Sequence, residues 1–362
     1  MRILHVITSL RTGGAEKLMV DLLPKLRDLG NDVELLLFDG IRTEFMEQLV
    51  RSGIKIHISR IGGCVYNPKN ILYLRNMINK YDVVHTHNTA PQLFAAISKE
   101  LTIKNKAKLV TTEHNTTNRR RDIFYFKYLD RWMYRRYVKI ICISEQAERN
   151  LRRYLADDSS KICTIFNGIN IDRFSNPYMS CKKENIDGKD VIVTMVAAFR
   201  EQKDQQTLIR SFSLLPNNYK LQLVGVGDRL LIEKCENLVK GLNLYNRVFF
   251  LGMRNDIPKI LQESDIVVLS SHYEGLSLSS LEGMASGKPF VASDVDGLHE
   301  IVNGYGLLFP HEDAQCLAEI ILRLSTDMPY SQYVAARCIE RAKQFDINMM
   351  AEKYNNLYST LL

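Results

Sequence analysis

The sequence predicts an α/β protein built from two parallel-sheet domains, and three observations support this. The 362-residue chain is too long for one ordinary domain and long enough for two. Short β-branched runs alternate with helical stretches, which is typical of a parallel sheet covered by helices on both faces. The alternation stops between residues 167 and 187, where Asn, Asp and Gly are frequent, and then begins again.

Eleven runs are the predicted strands. In the first half they are ILHVI, VELLLF, VVHTH, KLVTTEH and KIICI, and in the second half VIVTMV, YKLQLVGVG, RVFFLG, DIVVLS, KPFVAS and YGLLF. We expect one domain over residues 1–170 and another over 171–344, with a cleft at the carboxyl ends of their strands. Residues from about 345 to 362 lack a strand and are predicted to form an amphipathic helix that packs back on the first domain.

Composition and charge restrict the class of protein. Hydrophobic residues make up 46% and charged residues 25%, as in a globular protein, and no apolar run approaches the roughly 20 residues that cross a bilayer. The start of the chain lacks a cleavable signal and is interpreted as the first strand. The seven cysteines form neither a CxxC pair nor a zinc-ligand spacing, which indicates a reducing cytoplasm and no structural metal.

The charge is unevenly distributed between the two halves. Residues 1–175 hold 29 Lys and Arg against 18 Asp and Glu, a balance of +11. Residues 176–362 hold the remaining 19 and 23, a balance of −4. The first half is therefore expected to face an anionic partner.

The segment YEGLSLSSLEGMASGKPFVASD, residues 273–294, holds the strongest motif. It begins at the carboxyl end of the predicted strand DIVVLS, which delivers Glu274 and Gly275 to the sheet edge. Gly275 allows a ligand to approach the backbone, and Leu276, Ser277 and Leu278 offer successive N–H groups. A helix is predicted to begin near Ser279, and its N-terminus together with these amides is suited to a diphosphate.

The two acidic residues of this segment, Glu274 and Glu282, differ in whether a purely structural role could explain them. Ser279 and Glu282 match an S-x-x-E capping box, in which Glu282 would only reach back to the Ser279 N–H. Glu274 follows a buried strand directly and lies beside a glycine, so it is interpreted as a functional residue.

The E-x7-E pattern of Glu274 and Glu282, followed by GMASGKPFVASDVDG, resembles the signature of the retaining GT4 family of GT-B glycosyltransferases. Further pieces follow in the family's order: GGAE at 13–16, DVVHTHN at 82–88, TTEHN at 111–115, NGIN at 167–170, QKD at 202–204, VGVGD at 224–228 and FLGMRNDIP at 250–258. The resemblance covers nearly the whole chain and implies a GT-B fold, two Rossmann-like domains that face a central cleft. The first domain would serve the acceptor and the second the nucleotide-sugar donor.

The resemblance also implies roles for individual residues. Glu282 would hold the ribose hydroxyls, and Glu274 would bind hydroxyls of the transferred sugar. Met253, after Gly252, would lie beside the nucleobase, and Lys203 would neutralise the leaving diphosphate. The diphosphate itself would face the amides of the remaining donor-binding residues of the motif: Gly275, Leu276, Ser277 and Leu278.

The leaving-group side departs from the family pattern. An arginine is expected five residues before Lys203, where this sequence has Ala198. Arg200 is close enough to replace it from a shifted loop. The alternative is that Arg200 and Lys203 are solvated charges before a helix.

Two glycine motifs follow predicted strands. Gly13 and Gly14 offer free amides at the start of the first helix, and in the family this loop borders the donor phosphate, here Gly14, and the acceptor, here Gly13. VGVGD is a GxG turn without a third glycine and is interpreted as close backbone packing at the cleft. Neither is a dinucleotide fingerprint or a Walker A loop, which argues against NAD(P) and ATP chemistry.

Four histidines lie in or after predicted strands of the first domain. His85 and His87 share a strand face, which is compatible with zinc, but no third ligand has metal spacing and no metal is expected. By the resemblance, His114 contacts the donor sugar, which completes a catalytic set with the residues of the second domain. His87 is expected to line the acceptor side, His85 to be packed, and His5 to be a satisfied core histidine.

Residues 118–139, NRRRDIFYFKYLDRWMYRRYVK, combine eight Arg and Lys with seven aromatic residues. As one helix they would dock on an anionic membrane surface through a broad aromatic face. The alternative is a core helix with a solvated basic edge. Nucleic-acid binding is disfavoured because no binding motif accompanies the charge.

Together these features predict a retaining hexosyltransferase that uses a nucleotide diphosphate-sugar, with uridine favoured over guanosine. The family's front-face route lets the departing phosphate oxygen take the acceptor proton, so neither a metal nor another cofactor is expected. The basic first half favours a lipid-linked saccharide acceptor, such as a polyprenyl-diphosphate sugar, in capsule or O-antigen assembly at the cytoplasmic face of the membrane. Alternatives are a GT-B nucleotide-sugar epimerase or hydrolase, and a non-catalytic protein that binds nucleotide-sugars or nucleic acid.

Overall fold

The chain divides into two compact units in a computed structural model. Met1–Ile169 and Ile347–Leu362 form the first unit, and Asn170–Asp346 form the second. The structure describes all residues except 12, 60–63, 103–105, 115–120, 122, 157–159 and 175–189.

The first unit contains a parallel sheet of seven strands in the order β3-β2-β1-β4-β5-β6-β7. The strands are β1 (Arg2–Ile7), β2 (Asp32–Leu37), β3 (Lys55–Ile58), β4 (Val83–His87), β5 (Lys108–Glu113), β6 (Lys139–Cys142) and β7 (Ile162–Thr164). Its helices are α1 (Gly14–Asp28), α2 (Glu44–Arg51), α3 (Lys69–Ile78), α4 (Thr89–Glu100), α5 (Phe124–Tyr134) and α6 (Glu145–Leu155), followed at the end of the chain by α14 (Ile347–Ser359).

Both faces of this sheet are buried. In β1, Leu4 and Val6 belong to one apolar cluster, and Ile3 and Ile7 belong to the cluster on the opposite face. Because successive side chains of a strand point to opposite faces, an uninterrupted apolar strand requires helices on both sides. The helix α14 supplies part of one layer: it packs on α1, and its buried residues join the cluster that contains Ile3.

The second unit contains a parallel sheet of six strands in the order β10-β9-β8-β11-β12-β13. The strands are β8 (Val191–Val196), β9 (Tyr219–Val224), β10 (Val248–Gly252), β11 (Ile266–Leu269), β12 (Phe290–Ser293) and β13 (Leu307–Phe309). The helices are α7 (Gln205–Phe212), α8 (Arg229–Gly241), α9 (Ile257–Glu263), α10 (Leu278–Ala285), α11 (His299–Val302), α12 (Ala314–Thr326) and α13 (Met328–Lys343).

All eleven predicted runs contain a strand, whereas β3 and β7 were missed. These two are the edge strands of the first sheet. β3 is exposed or half-buried along its length and β7 has three residues, so neither shows the continuous apolar pattern of a central strand. The GxG turn packs as predicted, because a Cβ at Gly225 or Gly227 would overlap the carbonyl oxygens of Ala197 and Phe199.

The strand orders determine where ligands can bind. The order reverses between β1 and β4 in the first sheet and between β8 and β11 in the second. In open α/β sheets, ligands bind outside the carboxyl ends of the strands at such reversals. Across the part of the chain that the structure describes, no helix combines the length and apolar character needed to span a bilayer.

Candidate active site

The second unit pairs Lys203 with Glu274 at its strand-order reversal. The ammonium of Lys203 donates to Oε1 of Glu274, and the exposed fractions of the two side chains are only 14% and 6%. The Ser271 hydroxyl donates to the same oxygen at 2.6 Å, while among the described residues Oε2 receives only a 3.4 Å contact from Gln202 Nε2. A charge that is removed from water in this way requires its partner. Lys203 is therefore not a solvated charge, and sequence reasoning missed Ser271 and Gln202.

A short 3-10 helix, Glu201–Lys203, positions Lys203 after β8. The loop that holds this helix is joined to the loop after β11, because the His272 N–H donates to the Gln202 carbonyl at 2.8 Å. The side-chain amide of Gln202 donates in turn to the Tyr273 carbonyl, also at 2.8 Å. The loops that bear Lys203 and Glu274 therefore hold each other in register.

The cation at the expected arginine position is absent, and Arg200 lies nearby. Ala198 uses its carbonyl to accept from Gln205 Nε2 at 3.1 Å. Arg200 directly precedes the 3-10 helix and is exposed. Its guanidinium forms no hydrogen bond or ion pair within the described residues, so for Arg200 both interpretations of the sequence remain open.

Gly297, which the sequence did not single out, packs against the Glu274 backbone. The Glu274 N–H donates to the Asp296 carbonyl at 3.1 Å. Gly297 has φ +84°, and a Cβ there would overlap the carbonyl oxygens of Glu274 and Gly275. The local signal was an Asp-Gly turn in the loop that follows the buried strand β12.

The helix after Glu274 begins one residue earlier than predicted. Ser277 is the N-cap and α10 starts at Leu278, so Ser279 is already helical and Glu282 is the fifth helical residue. The capping box is therefore wrong, and Glu282 is free of that explanation although it is not without contacts. The Ser277 hydroxyl contacts the Ser279 hydroxyl at 2.9 Å and makes no cap hydrogen bond. The first amides of α10 thus have no side-chain cap and can receive an anion.

Two further donor-side predictions, Gly252 and Met253, lie at the carboxyl end of β10. Gly252 adopts φ +62° beside an irregularity in the β10 register, and its carbonyl accepts from the Gly225 N–H at 2.9 Å. Met253 follows it with 60% of its surface exposed. The left-handed turn at Gly252 explains why a glycine precedes Met253.

In the first unit, four imidazoles lie at the strand-order reversal. The register of β1 and β4 places His5 beside His85, and His87 lies two residues further on the same strand face. Nδ1 of His5 lies 3.0 Å from Nε2 of His87, and Nδ1 of His87 lies 2.9 Å from Nε2 of His114. This forms a chain of three hydrogen-bonded rings that ends at His114, directly after β5.

His85 packs beside this chain and is held by its own partners. Its Nδ1 lies 2.5 Å from the Tyr358 hydroxyl of α14, and its Nε2 lies 2.8 Å from the Thr112 hydroxyl. Tyr358 on α14 and Thr112 on β5 therefore fix the orientation of the His85 ring, whereas the sequence predicted only that this ring is packed.

Burial keeps these histidines neutral. Desolvation lowers the pKa of His5 to about 3 and the pKa of His114 to about 4. It also holds the pKa values of His85 and His87 well below their ordinary value, with the neighbouring histidines acting in the same direction. Each ring can therefore donate through one nitrogen and accept through the other.

Two predictions about this cluster are corrected. His5 is not fully satisfied, because its Nε2 is buried and has no hydrogen-bond partner among the described residues. His87 has no exposed surface and instead contacts His5 and His114, so it does not line an acceptor surface directly. Both contacts of these histidines follow from the register between neighbouring strands, and this register cannot be read from the sequence alone.

A third imidazole does reach the His85 and His87 pair. The available ligand atoms of His5, His85 and His87 lie within 4.8 Å of one another. However, the rings are stacked, with interplanar angles of 11–26°. A metal must lie in the plane of every ligating ring, which stacked rings do not permit, and both nitrogens of His85 are already engaged. The cluster fits hydrogen-bonded neutral rings better than a zinc ion.

The glycine loop after β1 begins α1 as predicted. Gly13 is the N-cap and Gly14 the first helical residue, with no side-chain cap. The first amides of α1 lie at the positive end of the helix dipole, and the Glu16 carboxylate of the same turn lies against Gly13.

The basic aromatic segment 118–139 is not one helix. Residues 118–120 and 122 lie outside the described residues, α5 covers only Phe124–Tyr134, and Lys139 already belongs to β6. Arg121 is bound to the buried Glu113 at 2.9 Å, and Tyr137 is fully buried. Within α5 the buried residues are Asp130, Met133 and Tyr134, so the core-helix alternative holds for the second part of the helix.

The beginning of α5 differs from its end. Its first turns expose a row of apolar and aromatic side chains: Ile123, Phe124, Tyr125, Tyr128 and Leu129. At the other end a cavity with a volume of about 200 Å³ is lined by Arg131, Tyr134, Arg135, Leu155 and Ala156. The aromatic face that the sequence predicted is confined to these first turns.

Comparisons with known proteins agree with this geometry. Residues 12–173 match the family model described as Glycosyltransferase Family 4, and residues 180–345 match Glycosyl transferases group 1. An Escherichia coli UDP-Gal:alpha-D-GlcNAc-diphosphoundecaprenol alpha-1,3-galactosyltransferase is 25% identical, over 99% of this chain and 96% of the relative. A Campylobacter jejuni N,N'-diacetylbacillosaminyl-diphospho-undecaprenol alpha-1,3-N-acetylgalactosaminyltransferase is 33% identical, over 60% of this chain and 59% of the relative.

A solved structure shares the fold. Anabaena HepE in complex with UDP and glucose superposes with a TM-score of 0.86 at 22% identity, over 99% of this chain and all of that one. The fold is thus an α/β fold of two Rossmann-like domains, as in GT-B glycosyltransferases. With both halves matched, the chain belongs to the GT4-like family of glycosyltransferases. The epimerase, hydrolase and binding-protein alternatives lose their support, because the matched domains and the named relatives are glycosyltransferases.

Proposed function

We propose that the protein is a retaining hexosyltransferase that moves a sugar from a UDP-sugar to a polyprenyl-diphosphate-linked saccharide in surface-polysaccharide assembly. The observation that supports this best is the buried Lys203–Glu274 pair beside the uncapped start of α10. It combines a cation for a leaving diphosphate, a carboxylate for sugar hydroxyls and free amides for phosphate oxygens.

The residues of the second unit would each bind a different part of the donor. The ammonium of Lys203 has three N–H groups, so it can retain Glu274 and still donate to a phosphate oxygen. Oε2 of Glu274 has only a long contact and can accept from a sugar hydroxyl. The amides of Gly275 to Leu278 would stabilise the charge that develops as the diphosphate departs, with Arg200 as a second cation. No metal or other cofactor takes part in this route, in which the departing phosphate oxygen accepts the acceptor's proton.

His114 would act from the first unit. Because its pKa is lowered to about 4, it is neutral at pH 7 and binds a sugar hydroxyl as a hydrogen-bond partner rather than as a charge. Its Nε2 faces His87, which leaves Nδ1 for the sugar. Met253 and Glu282 would hold the base and the ribose, and Gly13 and Gly14 would border the acceptor and the donor phosphate.

The donor can be identified by ligand-dependent stability. A ligand that binds only the folded state stabilises it by RT ln(1 + [L]/Kd), so the correct nucleotide raises the Tm most. We expect UDP-sugars to give the largest shift, with GDP-sugars second and ADP-sugars without effect. A larger shift with a GDP-sugar would overturn the uridine assignment.

The acceptor and the stereochemistry need a transfer assay. The full chain is incubated with the donor selected above and a short-chain polyprenyl-diphosphate-linked saccharide, with and without EDTA, and the product is examined by NMR. We expect an axial-to-axial or equatorial-to-equatorial outcome, which is retention, and no effect of EDTA. An inverted linkage, loss of activity in EDTA, or transfer only to acceptors without lipid would each contradict the corresponding part of the proposal.

The start of α5 would place the enzyme on the cytoplasmic face of the membrane. Phe124, Tyr125 and Tyr128 are 74%, 67% and 60% exposed, in a domain with a net positive charge. Interfacial aromatics and basic residues favour anionic bilayers. We expect a Phe124→Ser/Tyr128→Ser variant to bind anionic vesicles more weakly at low salt, whereas Tyr333→Ser, a 64% exposed residue of the second unit, should bind normally. Equal vesicle binding by all three proteins would contradict docking through α5.

A further inference from the structure

Three potential metal ligands converge outside the residues assigned so far, at the carboxyl edge of the second sheet. His272 follows β11, and His311 and Glu312 follow β13. The strand β12 lies between these two in the sheet order, so the loops that bear the ligands come from strands that are not neighbours. Nδ1 of His272 lies 2.6 Å from Nε2 of His311 and 3.6 Å from Oε1 of Glu312.

The orientation of these rings suits one shared ion. The planes of His272 and His311 are inclined by 82°, so their lone pairs can meet at one point in both planes, unlike those of the stacked histidines in the first unit. The available atoms of all three side chains lie within 4.8 Å of one another. A tetrahedral zinc site with bonds of about 2.0–2.1 Å places its ligand atoms about 3.3 Å apart, which falls between the two observed separations.

The backbone holds the ligands before any ion binds. The His272 N–H is fixed to the Gln202 carbonyl. On the other side, the Asp313 N–H donates to the Pro310 carbonyl at 3.0 Å, and the Asp313 side chain caps α12. Glu312 adopts φ +62°, a conformation that is sterically unfavourable for a residue with a Cβ and that these anchors impose. Rigid supports of this kind are what a binding site requires.

We propose that His272, His311 and Glu312 form a site for a borderline divalent transition-metal ion such as Zn²⁺. Two imidazoles and one carboxylate are a zinc-binding set, and they bind hard cations such as Mg²⁺ poorly. The Glu312 side chain is 61% exposed and His272 31%, so water can complete the coordination and the ion can exchange with solvent. Occupancy would join the loop that bears Glu274 to the turn before α12, and this goes beyond sugar transfer itself.

The proposal is tested on the full chain without donor or acceptor, so the outcome is independent of the proposed function. Zn²⁺ affinity is measured by competition with a chromogenic chelator, and coordination by the visible absorption of Co²⁺. His272→Gln and His311→Gln should each lower the affinity at least about tenfold, since loss of a direct ligand exceeds the loss of an outer-shell partner. The matched control is His299→Gln, an exposed histidine of the same unit that is bonded to Asp294 at 2.6 Å, and it should bind normally.

A second measurement separates ligation from misfolding. Hydrogen exchange of backbone amides at 270–275 and 311–313 should slow when Zn²⁺ is added to the wild type, and should not respond in the His311→Gln variant. Equal Zn²⁺ affinity in the wild type and both ligand variants, or an affinity loss in His299→Gln as large as theirs, would overturn the proposal. So would slowed exchange confined to the first unit.

Discussion

The neutral histidine cluster predicts that acid destabilises the first unit strongly. Unfolded imidazoles take up protons below a pKa of about 6.5, whereas burial keeps the folded pKa of His5 at about 3 and that of His114 at about 4. The unfolded state therefore binds more protons between these values. Stability is fully present above pH 6.5 and is lost as the pH falls from there towards the folded pKa values.

The magnitude follows from the unfolded state. At pH 5.0 an unfolded histidine lies about 1.5 pH units below its pKa, and at about 1.36 kcal/mol per unit each ring that stays neutral in the fold loses about 2 kcal/mol. His85 and His87 have folded pKa values well below the ordinary value and act in the same direction. From His5 and His114 alone we expect a loss of about 4 kcal/mol between pH 7.5 and pH 5.0.

The single tryptophan makes this measurable for the first unit alone. Trp132 lies on α5 and packs against the core of that unit, so its fluorescence reports urea unfolding there. His5→Gln keeps a hydrogen-bonding group without a titrating one, and its stability should fall by about 2 kcal/mol less than that of the wild type over the same pH range. His299→Gln, in the second unit, should not change the Trp132 transition. A wild-type stability that is flat from pH 7.5 to 5.0, or the same pH dependence in His5→Gln, would refute the reasoning.

Three further predictions concern packing and charge. Lys203→Met and Glu274→Gln should each reduce kcat by about 10²–10³. Each should also destabilise the second unit by about 3–5 kcal/mol, because the remaining partner stays buried without its counter-charge. If urea unfolding showed that the double variant is destabilised by the sum of the two single effects, the two residues would not interact. Gly297→Ala should lower donor turnover far more than Gly304→Ala, because both have positive φ but only Gly297 lies against backbone; equal kinetics would contradict this. Tyr358→Phe removes a partner of a buried histidine and should cost about 1–3 kcal/mol in Trp132-detected unfolding, and an unchanged midpoint would exclude that role.

Much of the architecture could be predicted because it depends on short-range patterns. The nine central strands are covered on both faces, so they appear as apolar runs, and all nine were recognised. The edge strands β10 and β13 are also apolar runs and were recognised, whereas the edge strands β3 and β7 were missed. Local chemistry also singled out Glu274, because a carboxylate directly after a buried strand has few structural reasons to be there.

The candidate site was harder to predict where the role of a residue depends on an exact helix boundary or on a contact between loops that are distant in the sequence. A single-residue shift of the start of α10 removed the capping box that had competed for Glu282. The basic segment 118–139 was read as one helix, but the fold ends α5 at Tyr134 and uses Arg121 to neutralise Glu113. Both errors come from assigning a role to residues before their neighbours in space are known.

By itself the sequence determined the class of fold, the resemblance to the family and many residues of the candidate site, although not Ser271, Gln202 or Gly297. Only the tertiary structure decided which of them meet. Lys203 and Glu274 are separated by 71 positions, and His5 and His87 by 82. Their contacts follow from the order and register of parallel strands, which depend on the packing of whole helices against a sheet. Periodicity and motif spacing describe the chain over a few turns, so they cannot contain that information.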